Sequence, residues 1–238
     1  MSLTQQIPGY FDVAAAAAPT LLQQILEHFG IAVAAVTGVL AARGKHIDLF
    51  GALVLGLVTA FGGGTVRDLM VGDLPVVWLR GPAYLLNAVS AALLTFFVAR
   101  VWLLPRQVLL VADAFALALF TMIGARKGVA LHLSGSVAVF LGVVTGVAGG
   151  MLRDVLVGEM PLVFQPAIHL YATAAMIGAV VFTVLCHLGV PYPVATPIGV
   201  LLVLGLRLAG IRWRLSLPMF EPQEPPPTSR NRLPISKL

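Results

Sequence analysis

Two pairs of charged residues carry the clearest chemical signal in this sequence. Each pair follows a glycine cluster, and the second copy lies 86 residues after the first. The residues are Gly62, Gly63, Gly64, Arg67 and Asp68 in one copy and Gly149, Gly150, Arg153 and Asp154 in the other. An ionised side chain at the centre of a bilayer costs about 2.5–3.5 kcal/mol on insertion scales, so four such side chains need compensation.

The partners of these charges are predicted from helix geometry. Adjacent residues on a helix point about 100° apart and do not face each other. We therefore expect compensation between the copies, with Arg67 near Asp154 and Arg153 near Asp68, or through carbonyl groups freed by the glycines. Paired in this way, the charges either line a hydrophilic path or lock two helices together.

The glycine clusters predict irregular helices. Each glycine costs about 0.8–1.0 kcal/mol in a helix relative to alanine, and irregular backbone in lipid needs protein or a water-filled cavity to satisfy its polar groups. We expect the chain to bend or unwind there and to offer carbonyl oxygens to a cation. Thr59 and Thr145, one turn earlier, could bond those carbonyls or bind an ion. Close helix packing through small residues is the alternative, and the spacing favours neither.

The composition places this chain in a membrane. Of its 238 residues 59% are hydrophobic and 11% are charged, where a soluble domain carries about 25% charged residues. The mean hydropathy is +0.96, and several apolar runs are about 20 residues long, as a membrane span requires. The net charge of +5 lies at helix ends and in the tail, so it predicts no nucleic-acid partner. No enzyme motif, metal site or cofactor is predicted.

Apolar runs divide the chain into seven predicted transmembrane helices. They cover residues 21–42, 47–71, 83–104, 107–126, 133–157, 167–188 and 194–211. Adding 86 to the first three spans gives the next three. Since three is odd, the second repeat must be inverted, as in many transporters.

The predicted organisation therefore has five segments. They are an extracytoplasmic segment 1–20, membrane repeat 1 at 21–104, membrane repeat 2 at 107–188, the seventh helix at 194–211 and a disordered cytoplasmic tail at 216–238. The fourth span is interrupted by Asp113, and the seventh is short. The fold class is an all-α integral membrane protein with an inverted 3+3 repeat plus one helix.

Basic residues predict the orientation in the membrane. Ten Lys and Arg residues, Arg207 among them, fall on one face and three on the other. The positive-inside rule then puts the C-terminus in the cytoplasm and the N-terminus outside.

Three further polar residues are secondary candidates. Glu27 and Asp113 occupy equivalent positions in the two repeats, and intramembrane carboxylates either couple to protons or sodium or end polar networks. Lys127 ends the fourth span beside Arg126. Cations suit a helix C-terminus, so this pair marks an interface more often than a voltage-responsive element.

The doubled motif resembles a known family. A glycine cluster, then x-x-Arg-Asp, then Gly-Asp/Glu-x-Pro is similar to the bacterial membrane family built on the glycine-transporter domain, which includes prokaryotic trimeric intracellular cation (TRIC) channels. The resemblance covers residues 21–210. It implies seven helices with kinked second and fifth helices, a homotrimer, and one cation-permeable pore per subunit. It also implies that the pore is flanked by the two glycine motifs.

These inferences predict a passive, potassium-permeable monovalent cation channel in a bacterial inner membrane. Small-residue faces, including Ala34, Gly38, Ala118 and Gly124, are predicted to hold the trimer together. The main alternative is a secondary transporter for glycine or another small solute, in which Arg67 or Arg153 clamps a carboxylate. A third class is a membrane scaffold whose motifs serve packing alone.

Overall fold

The computed structural model describes residues 21–102, 104–165 and 170–213, without the side chain of Leu22. The segments predicted at 1–20 and 216–238 lie outside these ranges. The described residues contain seven α-helices joined by short connections. They are α1 (Leu21–Ala41), α2 (Leu49–Val71), α3 (Pro82–Val101), α4 (Arg106–Ala130), α5 (Gly135–Leu156), α6 (Tyr171–His187) and α7 (Tyr192–Trp213).

The predicted spans match these helices to within a few residues, with two corrections. Asp113 does not interrupt α4, which runs unbroken for 25 residues, because ion pairs satisfy that carboxylate inside the bundle. Helix α7 is not short: it has 22 residues and includes Pro197. Proline is tolerated in membrane helices when neighbouring groups satisfy the freed carbonyl.

Six of the seven described helices are long and apolar enough to cross a membrane. The seventh, α6, has 17 residues and spans roughly 25 Å, at the lower end of what a bilayer core requires. Length and apolar composition thus agree with the predicted integral membrane fold.

The two repeats end their charged helices in the same way. Gly72 and Gly158 adopt the left-handed conformation, with φ of 70° and 72°, which terminates α2 and α5 where a side chain would be strained. A short 3₁₀ turn follows each glycine, at Val77–Leu79 and Leu162–Phe164. These turns bring backbone N–H groups back towards the charged end of each helix.

The glycine clusters do not unwind their helices. Both α2 and α5 are continuous α-helices through the glycines, so the predicted unwinding is wrong, while a bend stays a prediction. A β-carbon on Gly63 would overlap the carbonyl oxygen of Thr145, and one on Gly149 would lie 2.5 Å from that of Thr59. The small-residue packing alternative therefore describes these two glycines.

The same contacts set the direction of the crossing between α2 and α5. Gly63 lies against Thr145 and Thr59 against Gly149, so residue numbers rise along one helix as they fall along the other. The crossing is antiparallel, as an inverted repeat predicts.

The small-residue faces of α1 and α4 pack inside the subunit. A β-carbon on Gly38 would lie 2.5 Å from the Leu55 carbonyl oxygen of α2, and one on Gly124 would lie 2.8 Å from the Leu141 carbonyl oxygen of α5. Ala34 and Ala118 are also buried. These four residues are packed inside the subunit and do not form a free trimer surface, which corrects the prediction.

Candidate functional site

Arg67 and Asp68 pair with each other at the C-terminal end of α2. The Arg67 Nε donates to Asp68 Oδ1 at 2.9 Å, and both residues are buried. The second oxygen, Asp68 Oδ2, accepts from the Val77 N–H at 2.9 Å. The side chain of Arg67 is long enough for its guanidinium group to contact Asp68, although the Cβ atoms of the two residues point in different directions. The ion pair thus forms within one helix.

Lys127 brings a second cation to Asp68 from the other repeat. Its Nζ lies 2.8 Å from Asp68 Oδ1 and also contacts Asp73. Asp73 in turn contacts Arg80. Burial opposes the charge of Asp73, but hydrogen bonds and attraction from Lys127 and Arg80 outweigh it and lower the pKa of Asp73 below 3.8. Lys127 is therefore part of the charge network, not the simple interface marker that its position in α4 suggested.

A smaller contact joins the repeats at the opposite end of the crossing. Lys45 Nζ lies 3.0 Å from Glu159 Oε1, with both side chains well exposed. Glu159 follows Asp154 as Asp73 follows Asp68. Compensation between the repeats therefore does occur, but it uses lysines instead of the arginines.

Arg153 is held by two carboxylates in the second copy. Its Nε donates to Asp154 Oδ1 at 2.8 Å, and its Nη1 donates to Asp113 Oδ1 at 2.9 Å. Asp154 Oδ2 accepts from the Leu162 N–H at 2.8 Å, which repeats the arrangement at Asp68. All three side chains are buried, so this cluster is sealed into the bundle.

Arg207 of α7 completes the second cluster. Its Nη2 lies 3.9 Å from Asp113 Oδ2, and its guanidinium sits 4.5 Å from the centre of the Tyr171 ring. The residue is fully buried, so counting it with the surface charges was wrong. Its place inside the apolar run of the last span was the signal that could have identified it.

The predicted pairing of arginines across the repeats is wrong. Gly63 contacts Thr145 and Thr59 contacts Gly149, so four residues along α2 correspond to four residues backwards along α5. Continued by the same step, this register places residue 141 opposite Arg67. Asp154 lies 13 residues further along α5, which corresponds to roughly 20 Å. The two charge clusters therefore lie on opposite sides of the crossing and cannot meet.

Glu27 differs from its counterpart Asp113. Its two oxygens accept hydrogen bonds from Gln23 Nε2 and from the Tyr84 hydroxyl, each at 3.0 Å. It is half-buried, whereas Asp113 is buried and binds Arg153. Equivalent carboxylates thus have different partners: neutral donors around Glu27 and guanidinium groups around Asp113.

Two cavities lie along the crossing. The first, here called the threonine chamber, is a small space at the contact between α2 and α5. Helices α1, α2, α4 and α5 form it, and its polar lining comprises Thr37, Thr59, Thr145 and Asp113 beside Gly63 and Gly149. Thr59 and Thr145 hydroxyls donate to carbonyls of their own helices at 2.6 Å, which leaves hydroxyl lone pairs to accept from water or bind a cation.

The second cavity, here called the Glu27 cleft, is small and partly open to the surface. Its polar lining comprises Glu27, Arg67 and Tyr84, with Gly64 beside them. A β-carbon on Gly64 would have only ordinary contacts, the nearest at 3.8 Å. Gly64 therefore borders open space, unlike the closely packed Gly63.

The structure divides the sequence-predicted residues between these features. Six of them line the threonine chamber: Thr59, Thr145, Gly63, Gly149, Gly150 and Asp113. Three line the Glu27 cleft: Glu27, Gly64 and Arg67. Asp68, Lys127, Arg153 and Asp154 form the flanking charge clusters. Gly62 instead faces Leu152 of α5.

Relatives share both the sequence and the fold of this chain. The family model described as Glycine transporter matches residues 24–100 and 110–187. The UPF0126 inner membrane protein YadS of Escherichia coli strain K12 is 43% identical over 165 residues, which are 68% of this chain and 79% of that protein. A UPF0126 membrane protein of Vibrio cholerae is 42% identical over 164 residues, 68% of each chain.

Solved structures extend the similarity to channels. The TRIC trimeric intracellular cation channel orthologue from Rhodobacter sphaeroides is 38% identical, with a TM-score of 0.77, over 81% of this chain and 98% of that one. A second structure, described under conductance through TRIC cation channels, is 34% identical, also with a TM-score of 0.77, over 86% of this chain and 100% of that one. The matched ranges include both glycine motifs and both arginine–aspartate pairs, and this chain therefore belongs to the Glycine transporter family of integral membrane proteins, with the fold of the TRIC channels.

Proposed function

We propose that this protein is a monovalent cation channel, permeable to potassium, that works as a homotrimer with one pathway through each subunit. The observation that carries the proposal is the pair of neighbouring cavities with polar side chains in their lining, the chamber between α1, α2, α4 and α5 and the cleft between α1, α2, α3 and α4. Similar solved proteins are described as trimeric cation channels, which supports the same assembly here. The N-terminus is proposed to lie outside and the C-terminus in the cytoplasm of a bacterial inner membrane.

The arginines beside the pathway are compatible with cation flow because carboxylates offset them. Arg67 binds Asp68, and Arg153 binds both Asp113 and Asp154. An uncompensated guanidinium near a cation path would repel the ion strongly at low dielectric. The ion pairs also hold the walls on both sides of the crossing.

The proposed conduction step uses oxygen atoms around the crossing. Hydroxyl and carbonyl oxygens of Thr59 and Thr145 lie where α2 and α5 meet, and such oxygens replace part of an ion's hydration shell in selectivity filters. A shift of α2 or α5, or a side-chain movement beside their contact, is proposed to open and close the path.

Planar bilayers with a potassium gradient test this function. Purified protein should give unitary currents that reverse at the potassium potential. Asp68→Ala and Asp154→Ala should each reduce conductance strongly, because each leaves an arginine without its closest carboxylate. Glu159→Gln is the matched control, since Glu159 is exposed and borders neither cavity. Unchanged conductance in both aspartate variants would contradict the assigned pathway.

The transporter alternative takes its support from the family's description as Glycine transporter. A carboxylate clamp would use Arg67 or Arg153, but aspartates already occupy donors of both guanidinium groups. Saturable, ion-coupled glycine uptake without unitary currents would favour the transporter. Neither uptake nor currents would favour a scaffold.

A further inference from the structure

The threonine chamber and the Glu27 cleft meet at two apolar residues. Ala60 of α2 and Phe120 of α4 line both cavities. On one side of them lie Glu27, Arg67 and Tyr84; on the other lie the threonines and Asp113. The two polar spaces are therefore neighbours with an apolar boundary between them.

The phenyl ring of Phe120 extends from α4 to α1 at this boundary. A β-carbon on Gly30 of α1 would lie 3.7 Å from Phe120 Cζ, which is ordinary van der Waals contact. The ring also packs against the buried cluster that includes Ile31 and Ala60. The residue is only half-buried and lines both cavities. A ring in this position occupies the space through which the cavities would otherwise join.

The inverted repeat shows that this boundary is not a general feature of the fold. The position equivalent to Phe120 in the first repeat is Ala34, 86 residues earlier. Ala34 also lines the threonine chamber, but a methyl group cannot extend across to a neighbouring helix. The aromatic ring therefore stands at the Glu27 side of the chamber and lacks a counterpart at the equivalent position of the other repeat.

We propose that Phe120 is the hydrophobic barrier of the ion pathway and sets the rate of cation flow between the Glu27 cleft and the threonine chamber. Apolar constrictions close pores by excluding water, and a cation cannot cross without its hydration or replacement oxygens. The small side chain of Ala60 opposite lets a movement of one ring open the path. This inference rests on the proposed channel function.

Currents from Phe120→Ala test the barrier. Removing the ring should raise the potassium conductance per channel by on the order of tenfold, the change produced by a barrier lowered by about 1.4 kcal/mol. Phe115→Ala is the matched control: it removes the same ring from the same helix, where Phe115 packs edge-to-face on Phe29 and borders neither cavity. Phe120→Leu keeps an apolar side chain and should conduct less than Phe120→Ala. If Phe120→Ala conducts no better than Phe115→Ala, the barrier is elsewhere.

A second measurement does not depend on current. In a Cys186→Ala background, a thiol placed by Thr59→Cys in the chamber is labelled with the cation 2-aminoethyl methanethiosulfonate from the Glu27 side. Labelling should accelerate on the order of tenfold when Phe120→Ala is added, and should not change with Phe115→Ala. Equal rates with and without the ring overturn the barrier. Faster labelling in a protein that carries no current supports the barrier but removes the channel function.

Discussion

Replacing each of the two equivalent carboxylates, Asp113 and Glu27, by its amide distinguishes a carboxylate buried among ion pairs from a half-buried carboxylate with neutral donors. Asp113→Asn leaves Arg153 with a single carboxylate and removes the acidic neighbour of Arg207. Glu27→Gln changes a carboxylate whose donors are Gln23 and the Tyr84 hydroxyl. Both changes preserve the shape of the side chain, so the difference between them reports on charge.

The expected magnitudes follow from these partners. Removing one member of a buried ion pair costs about 3–5 kcal/mol, because the remaining charge is left uncompensated. Weakening hydrogen bonds between neutral donors and a half-buried group costs about 1 kcal/mol. Asp113→Asn should therefore be less stable than Glu27→Gln by roughly 3 kcal/mol.

Unfolding in mixed micelles of increasing sodium dodecyl sulfate content measures this difference. The transition of Asp113→Asn should move to a clearly lower detergent fraction than that of Glu27→Gln. Asp113→Glu, which keeps the charge, should recover part of the loss. Equal transitions for the two amide variants would refute the assignment of Asp113 as the carboxylate that compensates buried arginines.

Further predictions concern the crossing and the Lys127 network. Gly63→Ala should prevent native packing of α2 on α5, because its β-carbon would overlap a backbone oxygen. Gly64→Ala should fold normally, because Gly64 borders open space. The yield of monodisperse protein on size-exclusion chromatography distinguishes the two variants. Lys127→Met should destabilise the protein at neutral pH, measured by the same detergent titration. Because the pKa of Asp73 is lowered in the folded protein, its contribution to the free energy of unfolding is complete above pH 3.8 and is lost as the pH falls through the lower folded pKa. Asp73→Asn should therefore make unfolding less sensitive to acid. An unchanged acid transition would count against the Asp73–Lys127 contact.

The charge partners show where prediction from the sequence succeeded and failed. The need for compensation of Arg67 and Arg153 was correct, since both are buried in ion pairs. Their assignment to aspartates of the opposite copy was wrong, because spacing along the chain does not give the register of two crossing helices. Arg207 was missed as a partner because the contact joins residues 94 positions apart.

Glu27 and Asp113 also show that equivalent positions in the two repeats can have different surroundings. The repeat relates Glu27 to Asp113 and predicts similar roles for both. The structure places guanidinium groups beside Asp113 and neutral donors beside Glu27. Gln23 is a local partner on the same helix as Glu27, but Tyr84, Arg153 and Arg207 come from other helices, and their positions cannot be inferred from the residues around either carboxylate.

The sequence by itself determined that the helices span a membrane and how many of them the described residues contain, because both depend on local apolar runs. It also determined the repeat, because a motif recurs along the chain. The tertiary structure alone decided that Gly63 and Gly149 pack while Gly64 borders a cleft, that each arginine binds its neighbouring aspartate, and that Phe120 lies between two cavities. These features depend on distances of a few ångströms between helices far apart in the chain. Such distances are fixed only when all the helices are packed together.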